Sequence, residues 1–108
     1  MTKSAHDPYF SRFIEMLKSE RQSAKNTIDA YASDFNLLYN ELKLQKKLPH
    51  QATAQDLKNF IQDQGERKAS SLARLITTLK QYYAFLLQEK LILDNPTKHL
   101  VFPKKKQI

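Results

Sequence analysis

Along nearly the whole of this 108-residue sequence an apolar side chain returns every three or four positions, and no stretch sustains the alternation a half-buried strand requires. That periodicity predicts an all-α fold, and a chain of this length buries one modest core. The first helix is expected to begin at Asp7-Pro8, an N-cap residue followed by proline at the first helical position. Its stripe is Phe10, Phe13, Ile14 and Leu17, and its end falls near Arg21. A second helix, capped by Ser23, runs through Ile28, Tyr31, Phe35, Leu38, Tyr39 and Leu42 to about Lys43. Pro49 punctuates the next loop. Thr53 then caps a third helix in a capping-box variant with Asp56, with Leu57, Phe60 and Ile61 facing inward and Gly65 as its C-cap. The fourth helix, from about Ser70, carries the densest apolar face: Leu72, Leu75, Ile76, Leu79, Tyr83, Leu86 and Leu87. It stops before the turn signal Asp94-Asn95-Pro96, because proline disfavours helix at the residue before it. The expectation is a compact four-helix bundle. Leu100 to Ile108, with Pro103 and three lysines, reads as a basic linker or arm.

Composition removes several classes of function. With no cysteine there is no disulfide scaffold, thiolate zinc site or cysteine nucleophile. A single glycine, Gly65, cannot build the phosphate-cradling or dinucleotide-binding loops, which need positive φ and close backbone approach. His6, His50 and His99 lie in separate polar stretches without the i, i+4 spacing of paired metal ligands, and each reads as a solvated surface residue. No metal, cofactor or enzyme site is predicted. No apolar run reaches the roughly 18 residues of a membrane span, and the start is polar, so the expectation is a soluble cytoplasmic chain.

What remains to be explained is charge. The chain carries a formal +7, which points to a polyanionic partner. Residues 1–48 hold +2, residues 49–66 hold −2, and residues 67–108 hold nine basic groups against Glu89 and Asp94. Such asymmetry suggests a directed binding face or tail.

Two helix starts have the chemistry to bind nucleic acid. In Ser23-Ala24-Lys25-Asn26-Thr27, small polar side chains and a lysine meet the free N–H groups and positive dipole end of a helix, a natural seat for phosphate. The plainer reading is that Ser23 caps the helix and Lys25 is solvated. At the second start, Arg67-Lys68-Ala69-Ser70-Ser71-Leu72-Ala73-Arg74, helical geometry groups Ser70, Ser71, Arg74, Thr78 and Gln81 on one polar face. Arg74 is the side chain expected to reach a base edge or a phosphate, with the serines donating to phosphate oxygens. No acidic residue lies between Arg67 and Gln88, unlike the mixed signs of an ordinary solvated face. Among the aromatics only Tyr82, off the main stripe, is a candidate for stacking on a base. Lys104 to Lys106 serve equally well as a phosphate tether or a solvated linker.

At these same places the sequence resembles a known family. Asn26-Thr27 with Tyr31, Asp34 and Phe35 looks like the "NT-x-x-x-Y-x-x-D-hydrophobic" signature in the N-terminal core-binding domain of Xer-type tyrosine recombinases and phage integrases. Ser70-Ser71-Leu72-Ala73-Arg74-Leu75 followed by Tyr82-Tyr83-Ala84-Phe85-Leu86 resembles that family's fourth helix. Asp94-Asn95-Pro96-Thr97-Lys98-His99-Leu100 with Pro103-Lys104 resembles its exit into the interdomain linker. The three motifs occur in the right order over roughly residues 10–106. The resemblance implies a SAM-like four-helix domain over residues 1–100, a linker starting at 101–108, and half of a C-shaped clamp on DNA with the second and fourth helices facing the major groove. It implies Lys25, Asn26, Thr27, Lys68, Ser70, Ser71 and Arg74 as the DNA-facing residues. It also implies that the catalytic residues lie in a C-terminal domain this chain lacks, so none of its tyrosines is the nucleophile, and that the full protein assembles as a tetramer on double-stranded DNA. Two other readings stay open: a helical module that docks an acidic protein, and a stand-alone DNA-binding regulator.

Overall fold

The computed structural model describes residues 7–102. They form four α-helices, α1 (Pro8–Ser19), α2 (Lys25–Leu44), α3 (Ala54–Gln62) and α4 (Ala69–Gln88), with a short 3-10 turn at Pro49–Gln51 between α2 and α3. No strand occurs among the described residues, so the all-α bundle is the observed fold. The lysines at 104–106 and His6 lie outside the described residues.

Two helix starts follow local chemistry as expected. Asp7 caps α1 by accepting the Tyr9 N–H at 3.0 Å, with Pro8 opening the helix. Thr53 and Asp56 form a reciprocal capping box: Asp56 N–H donates to Thr53 Oγ1 at 3.0 Å, and Thr53 N–H donates to Asp56 Oδ2 at 2.9 Å. The same Asp56 oxygen accepts from Lys47 Nζ at 2.7 Å, so this cap also ties the loop after α2 to α3. Burial alone would push the Asp56 carboxyl up, but the hydrogen bonds from Lys47 and Thr53 and the lysine's charge outweigh it and hold the group below the usual carboxylate range. A depressed carboxylate stabilises the fold above its ordinary pKa of about 4 and loses that contribution as pH falls through the folded value. Thermal melts taken between about pH 6 and pH 3 should therefore show a steeper loss of Tm for the wild type than for Asp56→Asn.

Two predicted caps are not where the sequence put them. Ser23 does not cap α2; the N-cap is Ala24, with no side-chain hydrogen bond, while the Ser23 backbone N–H turns back to the Leu17 carbonyl at 2.9 Å. Gly65 is not a left-handed C-cap either, since α3 stops at Gln62 with Asp63 at its C-cap and no glycine has positive φ.

The left-handed positions fall instead on Gln22, Lys46 and Lys90, at φ of 50°, 60° and 61°. At Lys46 and Lys90 the hydrogen bonds are those of Schellman motifs. Lys47 N–H reaches Leu42 O and Lys46 N–H reaches Lys43 O; Leu91 N–H reaches Leu86 O and Lys90 N–H reaches Leu87 O. A lysine in this conformation carries a Cβ clash that glycine avoids. Lys46→Gly and Lys90→Gly should each stabilise the domain by about 0.5–1 kcal/mol, read as a rightward shift of a urea melt.

One core joins all four helices: Phe10, Phe13 and Leu17 of α1, Phe35, Leu38 and Leu42 of α2, Leu57 and Phe60 of α3, and the inner face of α4. Phe10 stacks on Phe35 with centroids 3.9 Å apart, and Tyr82 meets Phe35 edge-on at 4.9 Å. Tyr82 is therefore core, not a stacking platform. It is fully buried, and its hydroxyl donates to Asp7 Oδ2 at 2.9 Å, so the α1 cap doubles as a tertiary contact. Tyr83, also fully buried, donates to the Pro49 carbonyl at 2.6 Å and pins the 3-10 turn to α4. Burial and then the nearby Asp7 carboxylate push both phenols up beyond the ordinary tyrosine range.

Leu87, expected on the inward face, is 39% exposed, because Phe85 takes the buried place beside Leu86. His50 is half-buried with its ring edge-on to Tyr9 at 5.0 Å, whereas His99 is exposed as expected. After α4 the chain folds back on the bundle. Leu91, Ile92 and Leu100 pack on the core, Thr97 is buried with its N–H and Oγ1 on Asn95 Oδ1, and Lys80 Nζ donates to the Thr97 carbonyl at 3.0 Å.

Candidate nucleic-acid interface

The four helix starts differ in a way that bears on function. Side chains cap α1 and α3, but neither Ala24 at the start of α2 nor Lys68 at the start of α4 offers a side-chain cap hydrogen bond. These two starts are also where the candidate residues lie. First-turn amides without a side-chain acceptor, at the positive end of a helix dipole, are the groups to which a phosphate binds.

At the α2 start, Lys25, Asn26 and Thr27 are all exposed. Among the described residues Lys25 has one ionic partner, Asp29 at 3.5 Å on the next turn, and both side chains are well exposed. An i, i+4 surface pair of this kind contributes only about 0.3–0.5 kcal/mol and does not compete seriously with a phosphate. An open groove between the end of α1 and the start of α2 is lined by Lys18, Gln22, Ser23, Lys25, Ile28 and Asp29.

At the α4 start, Lys68 and Ser70 are exposed and Ser71 is half-buried. Arg74 departs from expectation. Its Nε donates to Asp34 Oδ2 at 2.9 Å and its Nη2 to Asp34 Oδ1 at 2.8 Å, a bidentate pair across the α2–α4 contact. The Asp34 side chain is 2% exposed and that of Arg74 is 47% exposed, so the pair runs from the core to the surface. The hydrogen bonds to Asp34 raise the Arg74 pKa further, keeping the guanidinium charged at any working pH.

Thr78 is not a surface donor on this face. It is fully buried, and its hydroxyl donates to Asp34 Oδ2 at 2.9 Å, completing the carboxylate's shell. Gln81 is half-buried and accepts from Arg21 of the α1–α2 turn. The polar face drawn on α4 is thus divided: Lys68, Ser70, Ser71 and part of Arg74 meet solvent, while Thr78 is committed to the fold. No described contact joins Lys25, Asn26 or Thr27 to the α4 cluster; among the candidates, only Arg74 reaches across to α2.

Asp34 stands in the family signature, but its pairing with Arg74 is what sequence reasoning missed. The α4 segment is free of acid along the chain but not in space. The signal was present: Asp34 lies three residues after Tyr31 and four before Leu38, on the inward stripe of α2. A carboxylate on a buried stripe needs a cation from a facing element, and Arg74 is the one arginine of α4.

Among the described residues no group of three or more His, Cys, Asp or Glu side chains is placed to hold a metal, and no helix is long and apolar enough to cross a membrane.

Comparison with known proteins agrees with the four-helix fold. A family described as "Phage integrase, N-terminal SAM-like domain" matches residues 10–90. The chain is 34% identical over 104 residues to the tyrosine recombinase XerD of Yersinia pestis, covering 94% of this chain and 35% of that protein. It is 36% identical over 99 residues to XerD of Rhizobium meliloti, covering 90% and 32%, and 33% identical over 98 residues to XerC of Anoxybacillus flavithermus, covering 88% and 33%. The chain spans about a third of the length of these relatives. No solved structure matches it significantly. With the family signature extending over residues 10–90, most of the bundle, this chain belongs to the phage integrase N-terminal SAM-like domain family.

Proposed function

We propose that this domain grips double-stranded DNA at a recombination half-site, with the starts of α2 and α4 turned to the duplex. A C-terminal domain of the kind that would fill the rest of the relatives' length would cut and rejoin strands. The observation that carries the reading is the pairing of two basic, exposed helix starts, at Lys25–Thr27 and Lys68–Arg74, that lack side-chain caps in a bundle whose other two helices have them. In this reading Lys25 and Lys68 neutralise phosphates, Asn26, Thr27, Ser70 and Ser71 donate hydrogen bonds to the backbone, and Arg74 anchors the α4 side. Residues 101–108 begin the linker to the catalytic domain, and the full-length protein works in the cytoplasm as a tetramer on DNA.

Fluorescence anisotropy with a labelled duplex across a salt series tests this. Affinity should fall steeply with salt, and Lys25→Ala or Lys68→Ala should each weaken binding a few-fold and reduce the log–log salt slope by about 1. Both side chains are exposed, so the melting curves should not move. Absence of binding at low salt would refute the reading, and a saturable complex with an acidic protein but not with DNA would favour a protein-docking module.

A further inference from the structure

The Asp34–Arg74 pair has a geometric consequence for how arginine meets DNA. A guanidinium is planar, with its donors fixed around the rim. One edge, Nε with Nη2, is closed onto Asp34, at 2.9 and 2.8 Å. The remaining edge, Nη1 with the second Nη2 hydrogen, has no partner among the described residues. Asp34 cannot move outward to follow a ligand: it is buried on α2 and held by the Thr78 hydroxyl, which itself donates from inside the core.

A free arginine on an exposed helix start can extend fully and reach a base edge at the floor of a groove about 8.5 Å deep. An arginine held back by a buried carboxylate cannot extend in this way. What it meets is whatever comes nearest the protein surface, and on duplex DNA that is the phosphate backbone.

We propose that Asp34 is a positioning residue: it holds the Arg74 guanidinium against the surface with its Nη1–Nη2 edge outward, so that Arg74 forks onto a DNA phosphate and not onto a base. The inference rests on the DNA-binding reading above and specifies what Arg74 does within it. Asp34 itself touches no DNA. Its role is to spare Arg74 the loss of rotamer freedom that a mobile side chain suffers on binding.

Simple charge counting gives the opposite sign. Removing a carboxylate next to a DNA-binding arginine raises the local positive charge and should tighten binding. Positioning predicts that Asp34→Asn weakens binding despite that gain.

The test measures anisotropy on the 108-residue chain with two unrelated duplexes, one A·T-rich and one G·C-rich, at low salt, with the active fraction set from circular-dichroism melts. Asp34→Asn should weaken binding by about fivefold on both duplexes. Arg74→Lys, which keeps a cation opposite Asp34 and so does not depend on the Asn variant folding, should lose about as much, because an ammonium cannot fork. The double variant should be no weaker than Arg74→Lys alone.

Wild-type affinity or tighter in Asp34→Asn overturns positioning, as does an Arg74→Lys protein that binds like the wild type. A loss for Arg74→Lys confined to the G·C-rich duplex overturns the phosphate assignment in favour of base reading. In each of these cases the wild type still binds DNA and the proposed function stands; failure of the wild type to bind either duplex removes both.

Discussion

Phe35→Ala is expected to bring the domain close to unfolding at ordinary temperatures. The ring is fully buried where three helices meet: it stacks on Phe10 of α1 at 3.9 Å, meets Tyr82 of α4 at 4.9 Å, and lies 6.4 Å from Tyr39 one turn along α2. Truncation removes the transfer energy of an aromatic side chain and leaves a cavity that rigid helices cannot close, a loss of about 3–5 kcal/mol. A small single-core domain has a total stability of about 5–15 kcal/mol, and chains of this size tend to the lower part of that range. Urea denaturation followed by circular dichroism checks the expectation, with Leu93→Ala as control. Leu93 is 100% exposed, and its removal should shift stability by no more than about 0.5 kcal/mol. A Phe35→Ala midpoint indistinguishable from that control would mean that the α1–α2–α4 aromatic cluster is not the centre of the core.

The second large effect is that of Arg74→Ala on the fold itself. Removing the guanidinium strands the Asp34 carboxylate, 2% exposed, with only the Thr78 hydroxyl at 2.9 Å to stabilise it. Breaking a fully buried pair in this way costs about 3–5 kcal/mol; because the arginine side is 47% exposed and water can partly replace it, we expect about 2–3 kcal/mol here. Replacing both partners with apolar residues, Asp34→Leu with Arg74→Met, should recover most of the loss, since no charge is then left buried. A double variant as unstable as Arg74→Ala would show that the loss does not come from a stranded carboxylate. Under the proposed DNA-binding function, an Arg74→Ala protein should bind less both because a contact is gone and because fewer molecules are folded.

Much of the architecture could be read from single residues. Asp7 ahead of Pro8 and the Thr53–Asp56 box mark helix starts because the groups that satisfy the first-turn amides sit within three residues of them. Asp94-Asn95-Pro96 does not set the end of α4, which stops at Gln88 where the hydrogen bonds of Lys90 and Leu91 close it. Ser23 and Gly65 misled because each lies outside the helix end it was expected to cap: α2 begins at Lys25 with Ala24 as its N-cap, and α3 ends at Gln62 with Asp63 as its C-cap. The left-handed turn positions fell on Gln22, Lys46 and Lys90, residue types that carry no sequence signal for that conformation.

The candidate site divides along the same line. Lys25, Asn26, Thr27, Lys68 and Ser70 were identified from charge and helix phase, and exposure follows from phase when a residue lies on the first turn of a helix. Thr78 and Tyr82 sit deeper in α4, where polar atoms can be buried if a partner waits on another helix, and Asp34 and Asp7 are those partners.

The sequence alone determined that this chain is a four-helix domain with its positive charge gathered after Gly65, because periodicity and charge order are local properties of the chain. The tertiary structure decided that Arg74 is tethered to Asp34 and not free. That pairing joins residues 40 positions apart in the chain, and it exists because packing α2 against α4 buries a carboxylate that only a facing cation can satisfy.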